Sequence, residues 1–300
     1  MKKIIMIVFA ITAVVCSSVL NPVSIKASDI YFTNQNGVTL SKDQYEYLSK
    51  FFSYDTLYTM SKSGLESLKD ENDLHSINTE KYIRVDEWYD RNGNPVSSTE
   101  KEVDKNTAEN YKGSNPLKSY QTSHTTSMKK ISMQVLAGND SRIVTITNKW
   151  LSIPSTKSYD VLALRPETRS CVINSASLMS AYQKYDGITI GYGSSSENVK
   201  VKPGLNGDGG VGISMNIPDS TSDSLESSLT VQFFSGAKIF EVYGTYQHAA
   251  SPVTLSQSKS YSFSSAGLGN VLYYSNSSIR SKYDNTRGLY LNYRYGEEFE

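Results

Sequence analysis

Cysteine, histidine and tryptophan are scarce in this chain, with 2, 3 and 2 copies in 300 residues. Two cysteines cannot build a disulfide scaffold or a multi-cysteine metal ribbon. His75, His124 and His248 show neither His-x-x-x-His nor His-Glu-x-x-His spacing, so no zinc site is expected. Charge of neither sign predominates: 30 Lys plus Arg face 30 Asp plus Glu. A nucleic-acid binder carries a basic excess, so no nucleic-acid partner is expected. No Gly-x-Ser-x-Gly occurs, no repeat recurs at a fixed period, and after the first 20 residues no apolar run could span a bilayer as a helix. Tyrosine, in contrast, is abundant at 22 copies, and 38% of residues are hydrophobic, enough for a packed core.

The first residues read as an export signal. Met1-Lys2-Lys3 is positive, Ile4 to Val15 is uncharged and apolar, and Ile25-Lys26-Ala27 sets a small residue before a cut at Ala27/Ser28. This layout predicts a signal peptide over residues 1–27 and a secreted, extracellular mature chain. An uncleaved anchor from Ile4 to Leu20 would be short and carry two serines and is then broken by Pro22. A lipoprotein cut at Cys16 would need a small residue where Val15 stands. Loss of Lys2, Lys3 and Lys26 leaves 27 basic against 30 acidic residues, a net charge of −3. Cys171 is then the single thiol, which excludes an intramolecular disulfide. The end of the chain, Gly296 to Glu300, carries no apolar tail, so no anchor is expected there.

Two regions are expected in the mature chain. Residues 28–118 read as a helical and hairpin N-terminal region ending in a polar linker. Ser41 with Gln44 forms a capping box, with Leu40 placed as its staple. Tyr45, Leu48 and Phe52 recur at helical spacing over 41–53, and a second helical piece over 55–69 breaks near Ser61 to Gly64. Tyr82 to Tyr89 alternates, Arg91 to Pro95 is a turn, and Ser97 to Pro116 is polar and unperiodic. Residues 119–300 read as a succession of short strands. Ile131, Met133 and Val135 alternate with Lys130, Ser132 and Gln134, and Val144, Ile146 and Trp150 alternate with Thr145, Thr147 and Lys149. Gly138-Asn139-Asp140 lies between the two runs as a hairpin turn would. The fold class expected is mainly β: an antiparallel sandwich, or a barrel, with a small helical N-terminal region.

No catalytic signature emerges. Arg169 to Asn174 around Cys171 reads as the start of a strand, and a lone thiol is more often structural than nucleophilic. Gly207, Gly209 and Gly212 match Gly-x-Gly-x-x-Gly, but Ile213, Met215 and Ile217 alternate afterwards as a strand rather than opening a helix, so no dinucleotide cofactor is expected. Asp90, Asn92 and Asn94 mimic a calcium loop until Pro95 and Lys101 stand where glycine and glutamate belong. Adjacent acids such as Asp86 and Glu87 point to opposite faces of a strand.

The aromatic strands supply the binding candidates. On 239–248, Phe240, Val242 and Tyr246 share one face suited to a core. Glu241, Tyr243, Thr245 and Gln247 share the other, and the run Tyr290 to Tyr295 adds Tyr290 and Arg294 with a similar mixture. Tyrosine gives contact area at low entropy cost and a hydroxyl, which suits a cell-surface glycan or protein partner. Alternation over Leu225 to Phe233 and Thr254 to Ser264 also fits the hairpins of a pore-forming toxin, the one reading that brings in membrane contact. An extracellular hydrolase using Cys171 or a carboxylate pair is the third reading.

Asn36-Gly37-Val38-Thr39-Leu40-Ser41 with Tyr45, Tyr47, Leu48 and Phe51-Phe52 resembles the mature N-terminus of uncharacterised exported proteins of Gram-positive bacteria. Trp150 with Ser158-Tyr159-Asp160-Val161, and Tyr246-Gln247-His248-Ala249, are similar to theirs as well. The resemblance implies an exported bacterial protein with a β-rich body and transfers no activity. The expectation is a secreted, non-enzymatic binding protein.

Overall fold

The computed structural model describes residues 30–112, 117–118, 123–138, 141–168, 171–204, 208–235, 237–265, 270–284 and 288–294. The expected signal peptide and the Asn139-Asp140 turn lie outside them.

The chain opens with the small hairpin β1 (Phe32–Thr33) and β2 (Thr39–Leu40) and three short helices, α1 (Lys42–Leu48), α2 (Tyr54–Thr59) and α3 (Lys62–Leu68). Each helix begins where a serine side chain accepts a hydrogen bond from the backbone three residues on: Ser41, Ser53 and Ser61. At Ser41 the capping box is complete, with Gln44 reaching back. Then follow β3 (His75–Tyr89), β4 (Pro95–Val103), α4 (Lys105–Glu109), β5 (Leu117–Lys118), β6 (Ser123–Ala137), β7 (Ser141–Ser152), β8 (Tyr159–Pro166), β9 (Leu178–Tyr185) and β10 (Ile188–Gly191). The chain continues with β11 (Val199–Lys202), β12 (Gly210–Asn216), β13 (Leu225–Phe234), β14 (Ile239–Gln247), α5 (Leu255–Ser258), β15 (Ser262–Phe263), β16 (Leu272–Tyr273), α6 (Ser277–Arg280) and β17 (Leu289–Arg294).

These strands form an antiparallel β-sandwich. One sheet has the order β10-β9-β13-β7-β6-β3-β4, with β5 added on β6; the other has the order β11-β12-β8-β14-β17. Inward side chains of both meet in one core, Val144, Ile146, Leu229 and Val231 from the large sheet against Leu162, Leu164, Ile213, Phe240 and Val242 from the small one. The outer face of each sheet carries a further layer. The N-terminal helices bury Leu48, Phe52, Leu57, Met60 and Leu65 against Leu136, Ile143 and Met179 at one end of the large sheet. The segment after β14 buries Tyr261, Phe263, Tyr274 and Tyr283 against Val161 and Ala163 of the small sheet. The sheets are open at their edges, so the barrel alternative does not apply.

The structure corrects two expectations. The sandwich does not begin near 119: β3 pairs with β6 along fifteen residues and β4 pairs with β3, so the 75–103 hairpin belongs to the large sheet. The stretch expected as a polar linker is β4 and α4. It escapes period-two reading because an edge strand with water on most of its surface needs no apolar face. The second correction concerns Thr254 to Ser264, which folds as α5 and the two-residue β15 rather than a membrane-type strand. The other toxin segment, β13, lies centrally between β7 and β9.

Close approach between layers makes one glycine indispensable. A Cβ on Gly210 would lie 2.3 Å from Phe263 Cδ1 and 2.4 Å from its Cε1. The ring is rigid and packed in the C-terminal layer, so Gly210→Ala is expected to cost about 1–3 kcal/mol through overpacking. A urea titration of wild type and variant measures it; equal midpoints would show that the layer is loose.

Candidate functional site

The uncovered part of the large sheet's outer face is where the sequence places its polar side chains in register. The N-terminal helices cover one end of this face. The strand pairing aligns outward residues of this face in ranks running across five strands, from β3 to β9, where Ser180 meets Thr59 of α2. One rank is Asn78, Gln134, Thr145, Thr230 and Ser180; the next is Glu80, Ser132, Thr147, Ser228 and Tyr182. A third is charged: Lys130, Lys149, Glu226 and Lys184, with Tyr82 at its β3 end. Adjacent strands lie about 4.8 Å apart, so an extended molecule crossing them meets a new donor or acceptor at each step. Asn78, Glu80, Ser132, Gln134, Thr145 and Thr147, with Tyr182 and Glu226, line an open trough of about 550 Å³, walled by Phe51, Phe52, Ser53 and Thr56 from the helical layer, while Thr230, Ser228 and Ser180 of the same ranks are buried.

The floor is held by its own hydrogen bonds. Thr145 and Thr230 hydroxyls are 3.0 Å apart, and those of Thr147 and Ser228 3.1 Å. At the wall, Tyr182 donates to Glu226 at 2.7 Å, and its hydroxyl lies 3.2 Å from that of Ser53. Burial and then the neighbouring Glu226 carboxylate push the Tyr182 phenol far above its ordinary value, so it stays a donor. At the far end Lys130 pairs with Glu80 at 2.5 Å and lies over the Tyr82 ring. Hydrogen bonding and the Lys130 charge, outweighing slight burial, hold the Glu80 carboxyl below the ordinary range, so it is an acceptor at neutral pH. The trough thus offers hydroxyls, amides, two carboxylates and one ammonium, Glu80, Glu226 and Lys130, without a deep apolar pocket.

The residues singled out in the sequence lie on the opposite sheet. Phe240, Val242 and Tyr246 do face the core. On the outward face, cross-strand pairing brings Tyr243 beside Tyr290, with ring centroids 4.8 Å apart, and Ile239 opposite Arg294. Tyr290 donates to Glu241, and the Arg165 guanidinium lies 5.3 Å from the Tyr243 ring centroid. Glu241, Tyr243, Tyr290 and Arg294 therefore form one strip at the β14–β17 edge. Thr245 and Gln247 are separated from it. The C-terminal layer buries Thr245, and Gln247 lines a cleft of about 440 Å³ with Asn270, Tyr273 and Arg280.

A second polar centre is fully enclosed between the sheets. His248 Nδ1 is 3.0 Å from Asp160 and its Nε2 3.5 Å from Glu87. Asp160 also accepts from Tyr246 and from the Ala249 backbone at 2.8 Å, while the Trp150 indole donates to Tyr246 at 2.8 Å. Burial alone would lower the His248 pKa, but Asp160 and Glu87 outweigh it and raise it to about 10, so the ring is an imidazolium. Next to it, the Lys129 ammonium contacts Glu100 and, at 2.8 Å, Asp284. As expected for neighbours on a strand, Asp86 points outward, to Arg84 and Thr126, while Glu87 points in.

Cys171 lies in the sandwich core, and burial pushes its thiol up to about 12. His75 pairs with Asp73, His124 with Asp86 and His248 with Asp160, and none of these contacts includes the thiol. A thiolate nucleophile is thereby removed as a reading. Gly207 lies outside the described residues; Gly212 of the glycine-rich match lies within β12, a strand rather than a helix, as expected. Asp90 caps a hairpin turn, accepting from Asn92 and Asn94 at 2.8 Å. Among the described residues no group of three or more His, Cys, Asp and Glu is arranged to hold a metal ion.

No family model and no curated protein matches the chain. Two solved structures share a remote likeness. AvmM, which catalyses macrocyclization in alchivemycin A biosynthesis, is 6% identical over 54% of this chain and 83% of its own, with a TM-score of 0.27. The full-length major pilin SpaD from Corynebacterium diphtheriae is 6% identical over 57% of this chain and 55% of its own, with a TM-score of 0.25. The fold assignment rests on the strand pairing of the chain itself. No helix among the described residues is long and apolar enough to cross a membrane.

Proposed function

We propose that the protein is exported and acts as a non-enzymatic binding protein, taking a neutral oligosaccharide into the trough on its large sheet. The observation that carries this reading is the pair of aligned polar ranks where they open into the trough, Asn78, Gln134 and Thr145 beside Glu80, Ser132 and Thr147. A sugar chain presents hydroxyls at regular intervals, each able to donate and accept. The floor answers with side chains of the same dual character, and the rim adds the ring of Phe51. A polyanion would find two acids against a single lysine here. A protein partner would need a pocket for an aromatic or aliphatic anchor, and the trough has a flat hydroxylated floor instead.

The test is binding of the purified chain to an array of neutral glycans and to insoluble polysaccharides, repeated with Asn78→Ala and Gln134→Ala. Both residues lie on the outer face, away from the sandwich core. Each substitution is expected to weaken binding about 2- to 12-fold, the range of one net hydrogen bond. Glu80→Ala, which removes a charged acceptor, is expected to cost about 10- to 100-fold. Binding unchanged by all three, or lost instead in Tyr290→Ala, would move recognition to the β14–β17 strip.

A further inference from the structure

The buried contact between Lys129 and Asp284 places a primary amine against a carboxyl group in a site closed to solvent. Lys129 projects inward from β6 with the parity of Ile131 and Met133, and its side chain is 0% exposed, as is that of Asp284. Glu100 projects inward from β4, opposite Val85, and is 7% exposed. The Lys129 nitrogen lies 5.3 Å from the Trp150 ring centroid and 5.2 Å from that of Tyr246. Asp284 is fixed independently: its Oδ1 accepts from the His248 backbone at 3.0 Å, and its own backbone N–H donates to the His248 carbonyl at 3.0 Å. Its Oδ2 meets the amine at 2.8 Å.

From this geometry we infer that Lys129 and Asp284 become joined by an intramolecular amide bond, with Glu100 carrying the protons. In water an ammonium and a carboxylate persist as ions. In a dry enclosure both charges lose their hydration, and transfer of one proton to give an amine and a carboxylic acid relieves the pair. The amine nitrogen then attacks Cγ of Asp284, one C–O bond from the oxygen it already touches. Permanent contact of this kind corresponds to an effective concentration far above anything reached in solution. Glu100, protonated, gives its proton to the departing hydroxyl and takes one from the nitrogen in its place. The N–Cγ bond forms, a Cγ–O bond breaks and one water leaves. One amine and one acid yield one amide and one water, so no oxidant, reductant or further reactant takes part. Glu100 is suited to carrying protons. Burial, and then the charge of Asp284, push its carboxyl up to about 8, so it is a protonated acid at neutral pH yet close to the point of release.

The bond would tie β6 of the large sheet to the C-terminal layer across 155 positions of sequence. The expected mature chain contains a single cysteine and so has no intramolecular disulfide to do this. The inference is independent of the trough and its ligand.

Intact-mass measurement on the folded, then denatured full chain tests it, followed by tryptic mapping. The expected mass is lower than that of the sequence by one water relative to a Glu100→Gln control, with cleavage after Lys129 blocked and the peptides containing Lys129 and Asp284 recovered as one joined species. Lys129→Arg and Asp284→Ala are each expected to lose the joined species. If a variant fails to fold, the wild-type map still decides. A wild-type mass equal to the sequence, separate peptides, or a water lost without joined peptides would each overturn the bond. Joined peptides in Glu100→Gln would overturn the role given to Glu100.

Discussion

His248→Ala is expected to destabilise the fold by about 3–5 kcal/mol, the cost of leaving buried charge without its partner. Asp160 and Glu87 would remain enclosed with no imidazolium between them, and Trp150 would lose the ring packed edge-on at 5.0 Å. A urea titration reads the loss as a lower midpoint. The same residue sets a pH dependence. Its folded-state pKa is raised from 6.5 to about 10, so its contribution is complete below pH 6.5 and is lost as pH rises toward 10. Stability is expected to fall over that window by at most ~1.4 kcal/mol per pH unit from this group. Asp160 and Glu87 face the ring directly, Asp284 holds its backbone N–H, and Lys129 lies over the Trp150 and Tyr246 rings. Glu100, raised from 4.5 to about 8, adds a slope of the same sign at lower pH. His248→Gln is expected to flatten the alkaline limb; a flat wild-type profile between pH 7 and 10 would contradict a charged His248.

The second large effect concerns Glu100→Gln, compared by thermal denaturation with the joined wild type. Closing a loop between residues 155 apart restricts the unfolded chain by about 5 kcal/mol on the chain-entropy account. The variant keeps the shape of the side chain, so most of the difference reflects the absent bond. It is expected to unfold well below wild type even in reducing buffer, where no disulfide could contribute. Indistinguishable midpoints would mean that the two residues only pair as ions.

Much of the framework was legible. Alternation located β6, β7, β13 and β14 because one face of each is buried, and the Ser41/Gln44 signature placed α1 because a cap is a local match between neighbours in sequence. The same alternation put Ser132, Gln134, Thr145 and Thr147 on an outer face. It could not show that β6 lies beside β7 and β3 while β7 lies beside β13, and without that order the ranks of the trough are invisible. The strip of Glu241, Tyr243 and Tyr290 was found as a face, but Thr245 and Gln247 share that face only until the irregular segment after β14 covers them. That segment has no long period to read, since its burial comes from tyrosines on turns and short helices.

The enclosed charges were missed for a different reason. Lys129, Glu100, Asp160, His248 and Asp284 are far apart in sequence, and titratable residues are assigned to surfaces by default. One signal was available. Lys129 occupies an inward position in the run that continues through Ile131, Met133 and Val135, and a lysine at an apolar position needs a buried partner.

The binding reading is tested most directly by amide chemical-shift mapping during titration with a neutral oligosaccharide selected on the array. Perturbations are expected at Asn78, Glu80, Ser132, Gln134, Thr145, Thr147 and Glu226, running across β3, β6, β7 and β13. Perturbations confined to Glu241, Tyr243, Tyr290 and their neighbours, with the large sheet silent, would contradict the trough as the site of recognition.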